Sequence, residues 1–184
     1  MDEDISMITQ SALSTLKPCI FLDRDGVINV DTGYPHRKDE LQLIDGAGNA
    51  IARMNQLGFL VIVVTNQSGV ARGYFTEADV HQFHHYISEA LTPYHAYIDD
   101  FYLCPYHPKS VIEAYRQDHI DRKPNPGMID RACKEWPIDR ERSFLIGDKD
   151  TDVKAAENAK IQGYLFNGGN LDGFVQSILK EKAI

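Results

Sequence analysis

The sequence is short of cysteine, short of positive charge and without a long apolar run, and each shortage excludes something. Its three cysteines, Cys19, Cys104 and Cys133, are few, far apart and odd in number, unlike the disulfide framework of a small secreted scaffold. Lys and Arg number 19 against 27 Asp and Glu, a formal net charge of −8 with a pI near 5.3. Nucleic acid and anionic membrane surfaces recruit basic proteins, so neither is expected as a partner. A small anionic ligand is not excluded, because it answers to local charge. No apolar stretch approaches the roughly 20 residues that span a bilayer. The opening residues, MDEDISMITQSALSTLKP, are acidic and lack the basic and apolar regions of a signal peptide. A reducing, cytoplasmic setting is therefore expected. What is present is average for a globular domain, with 43% hydrophobic and 25% charged residues. A chain of 184 residues suits one domain. Residues 1–17 read as an N-terminal extension and residues 18–184 as a single domain, expected to be a monomer.

Short apolar runs alternate with helical periodicity. Cys19 to Leu22 is a compact β-prone run ending at Asp23. Ile44, Ile51, Met54 and Leu57 recur at helical spacing, with Gly58 as a C-cap. Phe59 to Val64 is β-rich without polar alternation, as in a strand buried on both faces of a parallel sheet. Thr76 reads as an N-cap for a helix presenting Val80, Phe83, Ile87 and Leu91. Further strands are expected at Ile98–Leu103, Phe144–Ile146 and Gly163–Phe166. Helices are expected from Asn125-Pro126 through Lys134, over Thr151–Ala159 and over Leu171–Lys180. The pattern predicts an α/β, three-layer open parallel sheet. The segment from Cys104 to Lys123 is too long for a simple connection, which suggests a functional loop.

Open parallel sheets bind ligands beyond the carboxyl ends of their strands. Polar residues should therefore collect there, and they do: Asp23-Arg24-Asp25 after the first strand, Thr65-Asn66-Gln67 after the second, Gly147-Asp148-Lys149 after the fourth. Two carboxylates two residues apart suit nucleophilic attack on phosphorus by one and proton transfer by the other. A carboxylate and a phosphate repel, which calls for Mg²⁺ held by Asp23, Asp25 and Asp148. Thr65 can grip phosphoryl oxygens, and Lys123 can neutralise phosphate and nucleophile together. Each element also has a plain reading as a turn, a helix first turn or an exposed lysine. Four in order at strand ends do not.

The stretches FLDRDGVIN, VVTNQSGVARG, RKPNPGM and LIGDKDTD resemble the four motifs of the haloacid dehalogenase superfamily of phosphatases. FLDRDGVINVDTGYPH, TNQSGVARGYFTE and CPYHP extend the likeness to D-glycero-D-manno-heptose 1,7-bisphosphate 7-phosphatases and the related histidinol-phosphatases, over nearly the whole chain after Lys17. The resemblance implies a Rossmann-like fold with no large cap domain, because short loops leave no room for one. It implies Asp23 as nucleophile, Asp25 as general acid/base, and Thr65 and Lys123 as phosphoryl ligands. Asn66 would help orient that group. Asp148 would hold Mg²⁺ beside Asp23 and the Asp25 carbonyl, with Asp152 behind them and Lys149 steadying the carboxylates. Arg24 is expected among the substrate contacts. Arg122 would face the substrate's distal part, such as a second phosphate. The Gly33-Tyr34-Pro35-His36 loop would close part of the entrance.

One departure stands out. The group commonly carries a loop zinc site, Cys-x-His followed by Cys-x-Cys. Here the corresponding positions hold Cys104, Tyr106, His119 and Asp121, and tyrosine is a poor zinc ligand. His107 in place of Tyr106 would give Zn²⁺ the set Cys104, His107, His119 and Asp121. The preferred expectation is a loop held by packing of Tyr102, Tyr106 and Tyr115 and by hydrogen bonds. His81 and His85 share a helix face and are expected to be solvated. Cys19 is expected to be an inert core thiol.

The expected activity is Mg²⁺-dependent hydrolysis of a phosphorylated sugar through an aspartyl-phosphate. By resemblance the substrate is the 7-phosphate of the heptose bisphosphate destined for bacterial envelope lipopolysaccharide. Histidinol-phosphate hydrolysis is the alternative; the chain ends at Ile184 with no fused dehydratase. A phospho-accepting signalling domain also sets Asp, Thr and Lys at strand ends. Asp25 argues against it, since such a domain does not want a general base beside its acyl-phosphate.

Overall fold

The computed structural model describes residues 16–184; the expected extension lies almost wholly outside them. Its last residue belongs to the domain, because Lys17 takes a hydrogen bond from Asp139 and donates one to the Pro137 carbonyl, both at 2.8 Å.

Five strands, β1 (Cys19–Leu22), β2 (Leu60–Asn66), β3 (Asp100–Cys104), β4 (Phe144–Gly147) and β5 (Gln162–Leu165), form a parallel sheet in the order β3-β2-β1-β4-β5. Alternation along the strands sends successive side chains to opposite faces. Ile20 and Leu22 of β1, Val61 and Val63 of β2, and Phe144 and Ile146 of β4 enter one core. Cys19, Phe21, Leu60, Ile62, Val64 and Leu145 enter the other. Both faces are covered, which is why these strands read as unbroken apolar runs. Each fully buried Ile, Leu or Phe contributes about 1.5–3 kcal/mol relative to exposure.

The first core is closed by α1 (Ala47–Gln56), α3 (Glu77–Leu91) and α6 (Leu171–Glu181), the second by α4 (Gly127–Glu135) and α5 (Asp150–Asn158). A single turn, α2 (Ser68–Ala71), follows β2. This is the three-layer α/β architecture expected, without a cap domain among the described residues. Thr76 caps α3, its Oγ1 accepting from the Asp79 amide at 3.2 Å while Asp79 accepts from the Thr76 amide at 2.8 Å. Such a cap is worth about 1 kcal/mol.

Most boundaries shift by a residue or two from expectation, and in two elements the reason is visible. Strand β3 starts at Asp100 rather than Ile98, since the Asp99 carboxylate is turned to accept from the Val61 amide at 2.8 Å. It also runs one residue further, pairing Cys104 with Asn66. Helix α4 starts after Pro126, because the Asn125 side-chain Nδ2 donates to the His119 carbonyl and the side chain does not cap the helix.

The chain winds β1, β2, β3 outward in one direction and then returns to lay β4 on the other side of β1. The sheet therefore reverses between β1 and β4, and a crevice opens beyond their carboxyl ends.

Candidate active site

Asp23 follows β1 and Asp148 follows β4, on the two strands flanking the reversal. A pocket of about 460 Å³ opens there, lined among others by Asp23, Asp25, Thr65, Asn66, Arg122, Lys123 and Lys149. The sheet thus brings strand-end residues from distant parts of the chain to one wall.

At the floor, Lys123 Nζ donates to Asp23 Oδ1 and to the Val64 carbonyl, each at 2.8 Å, and lies 2.6 Å from Asp152 Oδ1. All three charged groups are buried. Burial pushes the Asp23 carboxyl up, Lys123 pulls it back, and Asp152 adds to the rise. Burial also works against the Lys123 charge, but Asp23 and Asp152 overcome it and hold the ammonium above its usual pKa. Asn66 sets the lysine by a double clasp, accepting from the Lys123 amide at 3.0 Å and donating to its carbonyl at 3.1 Å. Its side chain therefore acts on the site through Lys123.

Carboxylate oxygens of Asp23, Asp148 and Asp152 lie within 4.8 Å of one another. Asp148 Oδ1 is buried without a hydrogen-bond partner. Gly26, at φ +89°, lets the backbone pass close against the Asp148 carboxylate where a Cβ would collide. Three carboxylates outnumber the two ammonium groups beside them, Lys123 and Lys149, and the donors are all oxygen, the set that suits Mg²⁺. The residues present fit that ion. Asp152 is the most committed of the three, with its oxygens on Lys123 and the Lys149 amide. The Asp25 side chain does not join this cluster. Thr65 Oγ1 accepts from Gln67 at 2.9 Å, which leaves its own hydrogen free to donate into the pocket.

Two expected substrate contacts are corrected. Arg24 is 0% exposed and turns away from the pocket. Its Nε and Nη2 each donate at 2.9 Å to the two oxygens of Asp25, Nη2 also donates to the Pro35 carbonyl, and the guanidinium lies over the Phe83 ring. His36 does not line the pocket either. It stacks on Phe75 with centroids 4.7 Å apart and bonds the Tyr34 carbonyl. The loop it belongs to does reach the entrance, through Asp31, Gly33 and Tyr34. Tyr34, at φ +62°, packs edge-on against Tyr74 at 5.2 Å, and Arg72 lies over its ring. Lys149 stands between Asp31 and Asp148, 3.6 Å from each. Gln67, to which the sequence attached no role, is buried in the pocket wall and donates to both Thr65 and Asp25.

The zinc quartet is not brought together. Cys104 is buried at the end of β3, and burial raises its thiol to about 11. His107 Nδ1 accepts from the Lys109 amide, His119 Nδ1 from the Asp121 amide, and Asp121 lies 3.2 Å from Arg131. Among the described residues these four form no further three-donor group. The loop packs Tyr106 on His119 at 4.3 Å and near Tyr115 at 6.0 Å, with the Tyr115 hydroxyl donating to Glu77. Tyr106 in turn accepts from Arg122 Nη1 at 3.2 Å, fixing that arginine on the pocket wall. On α3, His81 and His85 are exposed. His84 is buried and stacked on Phe101 at 4.3 Å, and burial, aided by Arg24 and His81, drives its imidazole down to about 2 and keeps it neutral.

Comparison with known proteins agrees with this geometry. The model of the HAD-hydrolase-like family matches residues 120–173. The D-glycero-beta-D-manno-heptose-1,7-bisphosphate 7-phosphatase of Rhodopseudomonas palustris is 44% identical over 171 residues, 93% of this chain and 95% of the relative. The protein of that name from Escherichia coli K12 is 44% identical over 144 residues, 78% of this chain and 75% of its own. A solved D,D-heptose 1,7-bisphosphate phosphatase from B. bronchiseptica, complexed with magnesium and phosphate, superposes with a TM-score of 0.79. It is 29% identical and the match covers 89% of this chain and 99% of the other.

Proposed function

This chain belongs to the family of D-glycero-beta-D-manno-heptose-1,7-bisphosphate 7-phosphatases, enzymes with a haloacid-dehalogenase-like fold, and from that premise we propose that it removes the 7-phosphate of a heptose 1,7-bisphosphate with Mg²⁺, in the cytoplasm, for envelope glycan synthesis. The observation that carries the reading is the buried Asp23–Lys123–Asp152 array beside the unpartnered Asp148 oxygen, at the sheet reversal of a chain 44% identical to such enzymes.

Asp23 is the nucleophile in this account. Its Oδ1 is held by Lys123, so the other oxygen is the one left to attack phosphorus. Asp23, Asp148 and the Asp25 carbonyl would hold Mg²⁺, which would supply the positive charge that lets an anionic nucleophile meet an anionic substrate. Thr65 donates to a phosphoryl oxygen, and Lys123 offsets the charge gathered there. Asp25 gives its proton to the leaving sugar oxygen as the P–O bond breaks and the phosphoryl group passes to Asp23. It then takes a proton from water as water attacks phosphorus and frees Asp23.

Arg122 and Lys149 are further cations on the wall, suited to a second phosphate beyond the reacting one. That favours a bisphosphate over histidinol phosphate, whose distal end is cationic. Phosphate release from the heptose bisphosphate, histidinol phosphate and simple sugar monophosphates tests the choice. Heptose bisphosphate is expected to be preferred by at least tenfold in kcat/KM, and a preference for histidinol phosphate would overturn it.

A further inference from the structure

Asp25 is bound on every side. Oδ1 accepts from Arg24 Nε at 2.9 Å and Asn29 Nδ2 at 3.0 Å, and Oδ2 accepts from Arg24 Nη2 at 2.9 Å and Gln67 Nε2 at 3.0 Å. A carboxylate has about four acceptor sites, and all are taken. The Arg24 guanidinium is costly to keep: it is wholly buried, and its Nη1 has no partner. Burying it against Phe83 and the Pro35 carbonyl fixes a two-pronged fork that holds Asp25 in one orientation. Gln67 does something different. Its one amide nitrogen carries two hydrogens and spends one on Asp25 and one on Thr65.

We propose that Arg24 and Gln67 are positioning residues for Asp25, Arg24 fixing the plane of its carboxylate and Gln67 tying Oδ2 to the phosphoryl-binding hydroxyl of Thr65. The inference rests on the assignment of Asp25 as acid and base. Oδ2 is the oxygen that moves the proton, since its neutral partner Gln67 lines the pocket, whereas Asn29, the neutral partner of Oδ1, is wholly buried and does not. For Oδ2 to carry a proton, the Gln67 hydrogen must leave it, while the Arg24 fork keeps the carboxylate aimed.

Leaving-group chemistry isolates this role. A sugar alkoxide needs a proton as it departs, whereas p-nitrophenolate does not, and breakdown of the aspartyl-phosphate needs a base in either case. Arg24→Met and Gln67→Met are compared with wild type and Asp25→Asn on p-nitrophenyl phosphate and on a sugar monophosphate, with Mg²⁺ present. The expected result is a rapid burst of nearly one nitrophenolate per enzyme in both variants. Steady turnover then falls about 10²-fold, within the usual range for general acid–base loss, and the sugar phosphate gives no burst. Turnover within threefold of wild type on both substrates overturns the proposal. So does loss of the burst along with turnover, which would mean damage to Asp23 and its surroundings. If Asp25→Asn itself turns over at the wild-type rate, the acid/base assignment fails, a result distinct from failure of the positioning role.

Discussion

At the pocket floor, Lys123 is sealed from solvent with carboxylate oxygens 2.8 and 2.6 Å away, whereas at the rim Tyr34 is 37% exposed and Tyr74 58%. The floor is charge on charge, with Asp23 entering from the end of β1, Asp152 from the first turn of α5 and Lys123 from the turn before α4. At the rim Tyr34 packs on Tyr74, and behind the pocket lining His36 stacks on Phe75 and Tyr106 on His119, all from loops. The difference separates two tasks. Charges fixed before substrate arrives stabilise a transferring phosphoryl group without reorganisation. Broad apolar faces can hold a sugar and shape the entrance that a cap would otherwise shape, and they tolerate change.

Substitutions should respect that division. The largest effect belongs to Asp23→Asn, which should lower turnover by about 10⁴-fold or more while leaving the melting temperature at or above wild type, since it removes one of three clustered carboxylates. Next comes the metal. Chelation should stop hydrolysis, and restoring Mg²⁺ at about 100 times its Kd should stabilise the fold by about 2.7 kcal/mol; thermal melts with and without Mg²⁺ measure this, and Asp148→Asn should abolish the shift. At the rim the expectation is smaller and of another kind. Tyr34→Ala should raise KM for the heptose bisphosphate about tenfold, the loss of about 1.4 kcal/mol of contact, with kcat nearly unchanged; a fall in kcat instead would place Tyr34 with the floor. Smallest is Tyr115→Phe, which removes the hydrogen bond to Glu77 and should cost about 1 kcal/mol in denaturant titration, with phosphate release within twofold of wild type.

The floor was legible in the sequence because parallel strands buried on both faces leave continuous apolar runs. The polar residues that end them, Asp23, Thr65 and Asp148, are then conspicuous. The resemblance sharpened those positions into roles that the geometry now accommodates. What stayed hidden depends on contacts between distant segments. Nothing near Arg24 announces that Phe83 and the Pro35 carbonyl will bury it against Asp25. Gln67 looks like any polar turn residue until the fold sets it between Thr65 and Asp25. For the loop from Cys104 to Lys123, the resemblance implied a zinc site whose ligand pattern this chain only partly keeps. Strand pairing draws Cys104 into the sheet, and local amide hydrogen bonds engage Nδ1 of His107 and of His119. The net charge of −8 spoke to partners and was silent about a site where three carboxylates converge.

Everything proposed for this site turns on covalent transfer of the phosphoryl group to Asp23. Acid quenching during steady turnover, reduction of the trapped acyl-phosphate with borohydride, and mass spectrometry of the peptides test it directly. Homoserine is expected at position 23, absent from the Asp23→Asn protein and from enzyme quenched without substrate. Homoserine at another carboxylate, or none while wild-type turnover proceeds with the acyl-phosphate trapped efficiently in a known control, would contradict it.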